Sequence, residues 1–459
     1  MRTDEFVATS VVPVPADELF AWHERPGAFL RLSPPWETIA LVSSHGGIRD
    51  RGRTEIRMKL GPFAQRWVAE HRNYQEGRQF EDVQLQGPFA VWEHTHTIRE
   101  ESAETSILED RIQYAPPGGT LGRWFGGAYV RRKLERVFRY RHRITRDDLA
   151  AHYAARKCAP MKILVTGASG LVGSALLPML QTGGHTVVRL TRKKANTREQ
   201  EVIWDPDSGK LDSQGLEGID AVVHLAGEGI ADRRWSTAQK ERIRKSRQVG
   251  TRVLAEAIAG MKMPPKVFVC ASAIGYYGDR GDETLTEESA PGQGFLPEVC
   301  VGWEQACQPV RDKGVRTANI RIGVVLTPQG GALQKMMLPF KMGVGGVIGS
   351  GKQYWSWIAL DDLVGVIHHA LTHDDVSGPV NATTPHPCTN REFTKTLGKV
   401  LSRPTIFPLP AFMAKVVVGE MANDLLLASA KVMPKKLEAT GYQFRFPELE
   451  PAFRHLLGR

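Results

Sequence analysis

Residues 161–194 read MKILVTGASGLVGSALLPMLQTGGHTVVRLTRKK. The apolar run Ile163–Val165 has the length and β-branched content of a buried strand. It breaks into Gly167-x-x-Gly170-x-x-Gly173, and a helical pattern follows to the Gly183-Gly184 turn, where a second strand opens at Thr186–Leu190. A strand, a glycine turn, a helix and a strand in this order are the first half of a doubly wound α/β sheet. Gly167 permits a tight exit from the strand, Gly170 lets the backbone approach a pyrophosphate, and Gly173 lets the helix pack close on the sheet. The free N–H groups at the start of the helix and its dipole would hold phosphates. The expected dinucleotide cradle is therefore Thr166, Gly167, Ser169, Gly170, Leu171, Val172 and Gly173.

The end of the second strand selects the cofactor. An NAD site places an acid there for the ribose hydroxyls, whereas this chain has Leu190-Thr191-Arg192-Lys193-Lys194. Cations without an acid suit a 2′-phosphate, so NADP(H) is expected, bound by Arg192 and Lys193.

Further segments follow in a fixed order. They are Asp220-Ala-Val-Val-His-Leu225-Ala226-Gly227, Val267–Gly278 (VFVCASAIGYYG), Arg321–Leu326 (RIGVVL) and Trp357–Leu363 (WIALDDL). With the glycine motif, this series resembles the extended short-chain dehydrogenase/reductase family over about 161–400. More narrowly, Ser272–Asp279, Trp355–Ile358 and a tail ending Gly441–Pro447 resemble its epimerase-related subgroup once tied to cell-division inhibition. The resemblance implies that Leu225, Ala226 and Gly227 sit against the cofactor riboses. It implies a dinucleotide-binding domain over 161–400 and a helical cap over 401–459.

The chain departs from that family where the chemistry is done. The family exchanges a proton through Tyr-x-x-x-Lys on one helix face. The helix expected from Phe295 to Cys307 carries Leu296 and Cys300 at those two places if Glu304 fixes the alignment. The family's serine falls on Ser272 or, one residue on, Ala273. Ser272 and Glu298 are the candidate catalytic residues, while Tyr276 and Tyr277 read as loop structure.

Upstream, residues 1–150 alternate as strands at Phe6–Val12, Thr54–Leu60, Gln65–Tyr74, Gln79–Leu85, Ala90–Arg99 and Thr105–Tyr114. A short helix follows Pro15, with Asp17 or a neighbour capping it. Turns fall at Gly61-Pro62 and Gly87-Pro88, and a long helix covers Ala128–Arg143. This order, with its Pro-Ala-Asp-Glu-Leu-Phe start, resembles the START/Bet v1-like (polyketide cyclase-related) family. That implies an α+β helix-grip domain with an apolar cavity under the last helix. Trp22, Phe29, Trp36, Trp67, Phe89 and Trp92 are candidates to line it, although the plainer reading of these aromatics is core. Residues 151–160 read as a linker. His94 and His96 share one strand face but have no carboxylate at a recognisable ligand spacing, so a hydrogen-bonded or solvated pair is expected there and no metal.

Composition narrows the rest. With 459 residues, 42% hydrophobic and 24% charged, the chain is ordinary globular protein. The net charge of +10 is concentrated: residues 121–146 carry 9 Lys and Arg against 1 acid, while 1–120 carry 13 against 18. A solvated basic helix explains this without a nucleic-acid partner. Five cysteines without a CxxC pair suit a reducing compartment, so a cytoplasmic location is expected. No run reaches a membrane span; Val416–Ala430 is interrupted by Glu420, Asn423 and Asp424. Gly346–Gln353 approximates a phosphate-binding loop but ends in Gln where Mg²⁺ needs a hydroxyl, and reads as a flap. Two readings stand: an NADP(H)-dependent oxidoreductase or epimerase-like enzyme on a small-molecule substrate, or a catalytically silent NADP(H) sensor. In either, the first module is able to hold an apolar ligand. The sequence leaves the oligomeric state open between monomer and the homodimer common among relatives.

Overall fold

The computed structural model describes residues 2–60, 63–192, 200–205, 210, 211 and 213–459. The turn expected at Gly61-Pro62 lies outside them. The chain divides into two compact units: residues 1–157 with 181–184 and 457–459, and residues 158–180 with 185–456.

The first unit is a seven-stranded antiparallel sheet. Its strands are β1 (Asp4–Val12), β2 (Ile39–His45), β3 (Arg53–Leu60), β4 (Phe63–Gln75), β5 (Gln79–Gln86), β6 (Val91–Ser102) and β7 (Thr105–Ala115), in the order β1-β7-β6-β5-β4-β3-β2. Alternation builds it: on β6, Trp92, His94, His96 and Ile98 are buried while Val91, Glu93, Thr95 and Thr97 are half-buried. The helix α1 (Ala16–Glu24) starts behind Pro15 with no side-chain cap, and Asp17 instead accepts the N–H of Glu18 at 2.9 Å. A short α2 (Ala28–Arg31) follows and is tied to the last helix by a buried Arg31–Asp148 fork, 2.6 and 2.9 Å.

That helix, α3, runs Gly119–Ala154, longer than the expected 128–143 and well into the segment read as a linker. No glycine or proline interrupts Ala128–Cys158, so nothing in the sequence stops it earlier. Leu134, Phe138, Tyr140, Ile144 and Leu149 are buried. Strand β2 carries no apolar alternation; it is an exposed sheet edge with a bulge between Leu41 and Ser43, which is why the sequence pattern does not announce it.

Of the two expectations for His94 and His96, hydrogen-bonded or solvated, the first holds for His94, whose Nε2 bonds Asp110 at 3.0 Å. Neither is solvated, and carboxylates do meet them, from neighbouring strands rather than from their own segment. Sheet register sets Asp82 opposite His94 and Asp110 opposite His96. Burial pushes His96 down to about 4, whereas His94 is lifted to about 9 because Asp82 and Asp110 outweigh its burial.

The second unit is built on a mostly parallel sheet. Its first strands are β8 (Lys162–Thr166), β9 (Thr186–Thr191), β10 (Glu201–Asp205), β11 (Lys210–Leu211), β12 (Ala221–His224) and β13 (Val267–Ala273). Strands Arg316–Ile322 and Gly378–Ala382 complete the order β11-β10-β9-β8-β12-β13-(316–322)-(378–382). Only β11 is antiparallel. Ile163–Val165 and Ala221–His224 are buried without a break, as strands covered on both faces must be. The chain leaves β8 on one side for β9 and returns on the other for β12. That reversal opens a crevice beyond the carboxyl ends of β8 and β12.

Two sequence segments turn out to be each other's partners. Asp362, at the start of helix Leu360–Thr372, accepts the N–H of Arg445 at 2.7 Å and of Phe446 at 3.0 Å, and Tyr442 donates to its carbonyl at 2.9 Å. The tail is thereby fastened to the Rossmann-type core. Among the described residues no helix is long and apolar enough to cross a membrane.

Candidate functional site

The crevice begins with a polar lock. Thr166, the last residue of β8, donates its hydroxyl to Nδ1 of His224 at 2.7 Å, and its oxygen accepts the N–H groups of Leu225 and Ala226, both at 3.1 Å. His224 in turn donates from Nε2 to Thr251 on helix α5 (Thr237–Ala259) at 2.9 Å. That assignment requires neutral imidazole, and burial pushes His224 down to about 4. The lock holds the Leu225–Gly227 backbone beside the glycine turn.

The turn itself has no room for side chains. Gly167 adopts φ +66°, and a Cβ there would lie 2.8 Å from the Leu225 carbonyl. A Cβ on Gly173 would lie 2.3 Å from the carbonyl oxygen of Gly167. Gly170 and Ser169 are exposed, Leu171 and Val172 half-buried, all at the head of helix α4 (Leu171–Thr182). Gly227 sits 3.4 Å, measured from the place of a Cβ, from the guanidinium of Arg247. Arg192 stands exposed just past β9, where a ribose substituent would lie. Lys193 lies outside the described residues. The cradle residues fit a dinucleotide: a turn stripped of side chains, a helix N-terminus behind it, and a cation beside it.

Farther along the same edge of the sheet, three adjacent strands place Ser272, Arg321 and Asn381 side by side in register. Ser272 is 2% exposed and donates to Oε1 of Glu304 at 2.7 Å. Glu304 comes from α6 (Phe295–Gln305) and takes both arms of Arg321, at 2.8 and 2.9 Å. Arg321 also donates to the Tyr277 hydroxyl at 2.9 Å and lies 3.5 Å over the Tyr276 ring. Burial works against its charge, and Glu304 more than offsets that, so its pKa rises. Tyr277 donates within a pair of acceptors, Asn381 Oδ1 at 2.7 Å and the Thr286 carbonyl at 2.9 Å; burial pushes it up to about 12.

Helix α6 begins at Phe295, as the spacing predicts, but Glu298 and Glu304 lie on different faces. Six residues is about 240° around a helix. Glu298 is therefore turned outward, its side chain 68% exposed and 4.0 Å from Arg244, and the structure does not bring it to Ser272. Leu296 and Cys300 occupy the inner face, and burial pushes the Cys300 thiol up to about 12. No tyrosine or lysine takes their place among the described residues of α6. The sequence reading used Glu304 only as a ruler for alignment and missed it as a site residue. Its partners lie 17 and 32 positions away, so no local motif contains the group.

Fold and crevice together define a nicotinamide-nucleotide-type Rossmann protein of the short-chain dehydrogenase architecture. The NAD dependent epimerase/dehydratase family matches residues 163–382, and a domain of unknown function (DUF1731) matches 409–456. A Mycobacterium bovis "Epimerase family protein Mb2239" is 43% identical over 282 residues, covering 61% of this chain and 93% of that protein. The crystal structure of human epimerase family protein SDR39U1 with NADPH is 37% identical with TM-score 0.60, over 65% of this chain and 99% of that one. A Corynebacterium glutamicum structure described as a nucleoside-diphosphate sugar epimerase matches both units. It is 33% identical with TM-score 0.81, over 99% of this chain and 90% of that one. This chain belongs to the NAD dependent epimerase/dehydratase family, in the branch that carries the DUF1731 tail.

Proposed function

We propose that the second unit binds NADP(H) and works as an oxidoreductase or epimerase-like enzyme on a small polar substrate. The observation that carries this is the side-chain-free turn at Gly167–Gly173, locked by Thr166 and His224, with Arg192 as the cation beyond β9. The human relative, whose structure is described with NADPH, supports the choice of nucleotide. When bound, the nicotinamide supplies the exchange of hydride equivalents. Ser169, Gly170, Leu171 and Val172 would lie along the pyrophosphate, and Leu225–Gly227 along the riboses.

The proton would be handled by Glu304 in place of a tyrosine–lysine pair. Glu304 is the least buried member of its ion pair, 14% exposed against 3% for Arg321. Ser272 and Arg321 position it, each by a direct hydrogen bond. The name of the Corynebacterium structure supplies a substrate class to try first, nucleoside-diphosphate sugars. The test is turnover of such sugars with NADP(H) by wild type, Ser272→Ala and Glu304→Gln. Glu304→Gln should lose about 100-fold or more in kcat while still binding NADPH. Full activity in Glu304→Gln would remove Glu304 from the mechanism.

The second reading, a silent NADP(H) sensor, is favoured by Leu296 and Cys300, which cannot exchange protons with a substrate at neutral pH. For the first unit we propose a START/Bet v1-like helix-grip domain. An antiparallel sheet with a long final helix supports it. Much of the proposed aromatic lining serves as core: Trp22 is fully buried, and Trp67, Phe89 and Trp92 pack on one another.

A further inference from the structure

The first unit holds its own set of converging polar groups. Asp82 on β5, His94 and His96 on β6, Asp110 on β7 and His142 on α3 meet inside the sheet. One donor atom from each of Asp82, His94 and His96 lies within 4.8 Å of the others. Asp82 Oδ2 faces Nδ1 of His94 at 2.9 Å and Nε2 of His96 at 3.9 Å. The opposite ring nitrogens both face Asp110 Oδ1, His94 Nε2 at 3.0 Å and His96 Nδ1 at 2.5 Å. The far oxygen of Asp110 is held by His142 Nε2 at 2.7 Å, and His142 Nδ1 by the Ser10 hydroxyl at 2.7 Å.

We propose that Asp82, His94 and His96 bind one divalent transition-metal ion, with Asp110 and His142 as the layer that orients the two imidazoles. Two histidines and one carboxylate suit a first-row transition ion and not Mg²⁺ or Ca²⁺, which prefer oxygen. Metal bonds of about 2.1 Å set neighbouring donors about 3 to 3.5 Å apart. Asp82 Oδ2 stands 2.9 and 3.9 Å from the two ring nitrogens here, so a shift of His96 by a few tenths of an ångström closes the set. Ligating histidines hand their other N–H to a carboxylate, and Asp110 stands at that place for both rings.

A plain ionic network accounts for less. His96 is buried, its Nε2 lies beyond hydrogen-bond reach of Asp82, and its Nδ1 makes no well-directed hydrogen bond despite its closeness to Asp110. An ion on Nε2 supplies the partner that Asp82 alone does not, and fixes the proton on Nδ1, the nitrogen beside Asp110. Two carboxylates face one fixed cation, Arg141, which acts on both; His71 also acts on Asp82, and His23 on Asp110. The pocket is otherwise apolar. Phe80 stacks on His96 at 4.1 Å and Phe138 meets His94 edge-on at 5.3 Å. Asp82 is its least buried group, 17% exposed, and marks the way in.

The test uses the full chain, stripped with a chelator and then titrated with Zn²⁺ by calorimetry and with Co²⁺ by visible absorption. The expected result is one saturable ion per chain, with d–d bands of nitrogen and oxygen ligands and no thiolate charge-transfer band. Asp82→Asn and His96→Gln should each weaken binding at least about 10-fold, and Asp110→Asn about 10- to 100-fold, with circular dichroism unchanged. No saturable binding by wild type overturns the proposal, as does a thiolate band. Undiminished affinity in His94→Gln/His96→Gln does the same. The wild-type Co²⁺ spectrum decides the matter should a variant fail to fold.

Discussion

At the residue scale the hydroxyl of Thr166 has the largest consequences. It joins two parallel strands and the loop between crevice and sheet through three hydrogen bonds. Thr166→Val keeps the shape and removes them all. It strands the Ala226 N–H and His224 Nδ1, while the Leu225 N–H keeps the Thr166 carbonyl at 3.3 Å. The expected loss is about 2–3 kcal/mol of stability, measured by denaturant unfolding, with weaker nucleotide binding. His224 adds a pH signature. Its folded pKa, about 4, lies below the ordinary 6.5, so between those values the unfolded chain binds the extra proton. Stability therefore falls as pH drops from about 6.5 to about 4, by on the order of 3 kcal/mol from this group. His224→Asn should flatten the stability curve in that window relative to wild type, and an unchanged slope would contradict the assignment.

At the element scale, helices and strands were legible in proportion to how local their signals are. The β8-turn-α4 unit was readable because its glycines answer backbone demands three residues apart. The prediction here is that Gly173→Ala lowers NADPH affinity at least about 10-fold, since its Cβ would press within 2.3 Å of the Gly167 carbonyl oxygen. Strand β2 was missed because an exposed edge needs no alternation. Ser272 was legible through the family resemblance, but its grouping with Glu304 and Arg321 was not, because the group exists only when two strands and a helix meet. Its fork is structural as well: Arg321→Met leaves Glu304 without its partner and should cost about 3–5 kcal/mol, read by thermal or denaturant unfolding. The same reasoning explains Asp82 and Asp110, which reach the histidines through sheet register and not through spacing in sequence.

At the scale of the whole molecule, relatives such as the human protein match 65% of this chain, and the Corynebacterium structure matches 99%. The family core thus occurs with and without the antiparallel unit, and the human structure described with NADPH is nearly all core. The most direct test is to titrate the full chain with NADPH and with NADH, following nicotinamide fluorescence, for wild type and Arg192→Ala. The account predicts tight NADPH binding, weaker NADH binding, and a loss for NADPH alone in Arg192→Ala. Binding of neither nucleotide, or equal binding of both that Arg192→Ala leaves untouched, would contradict it.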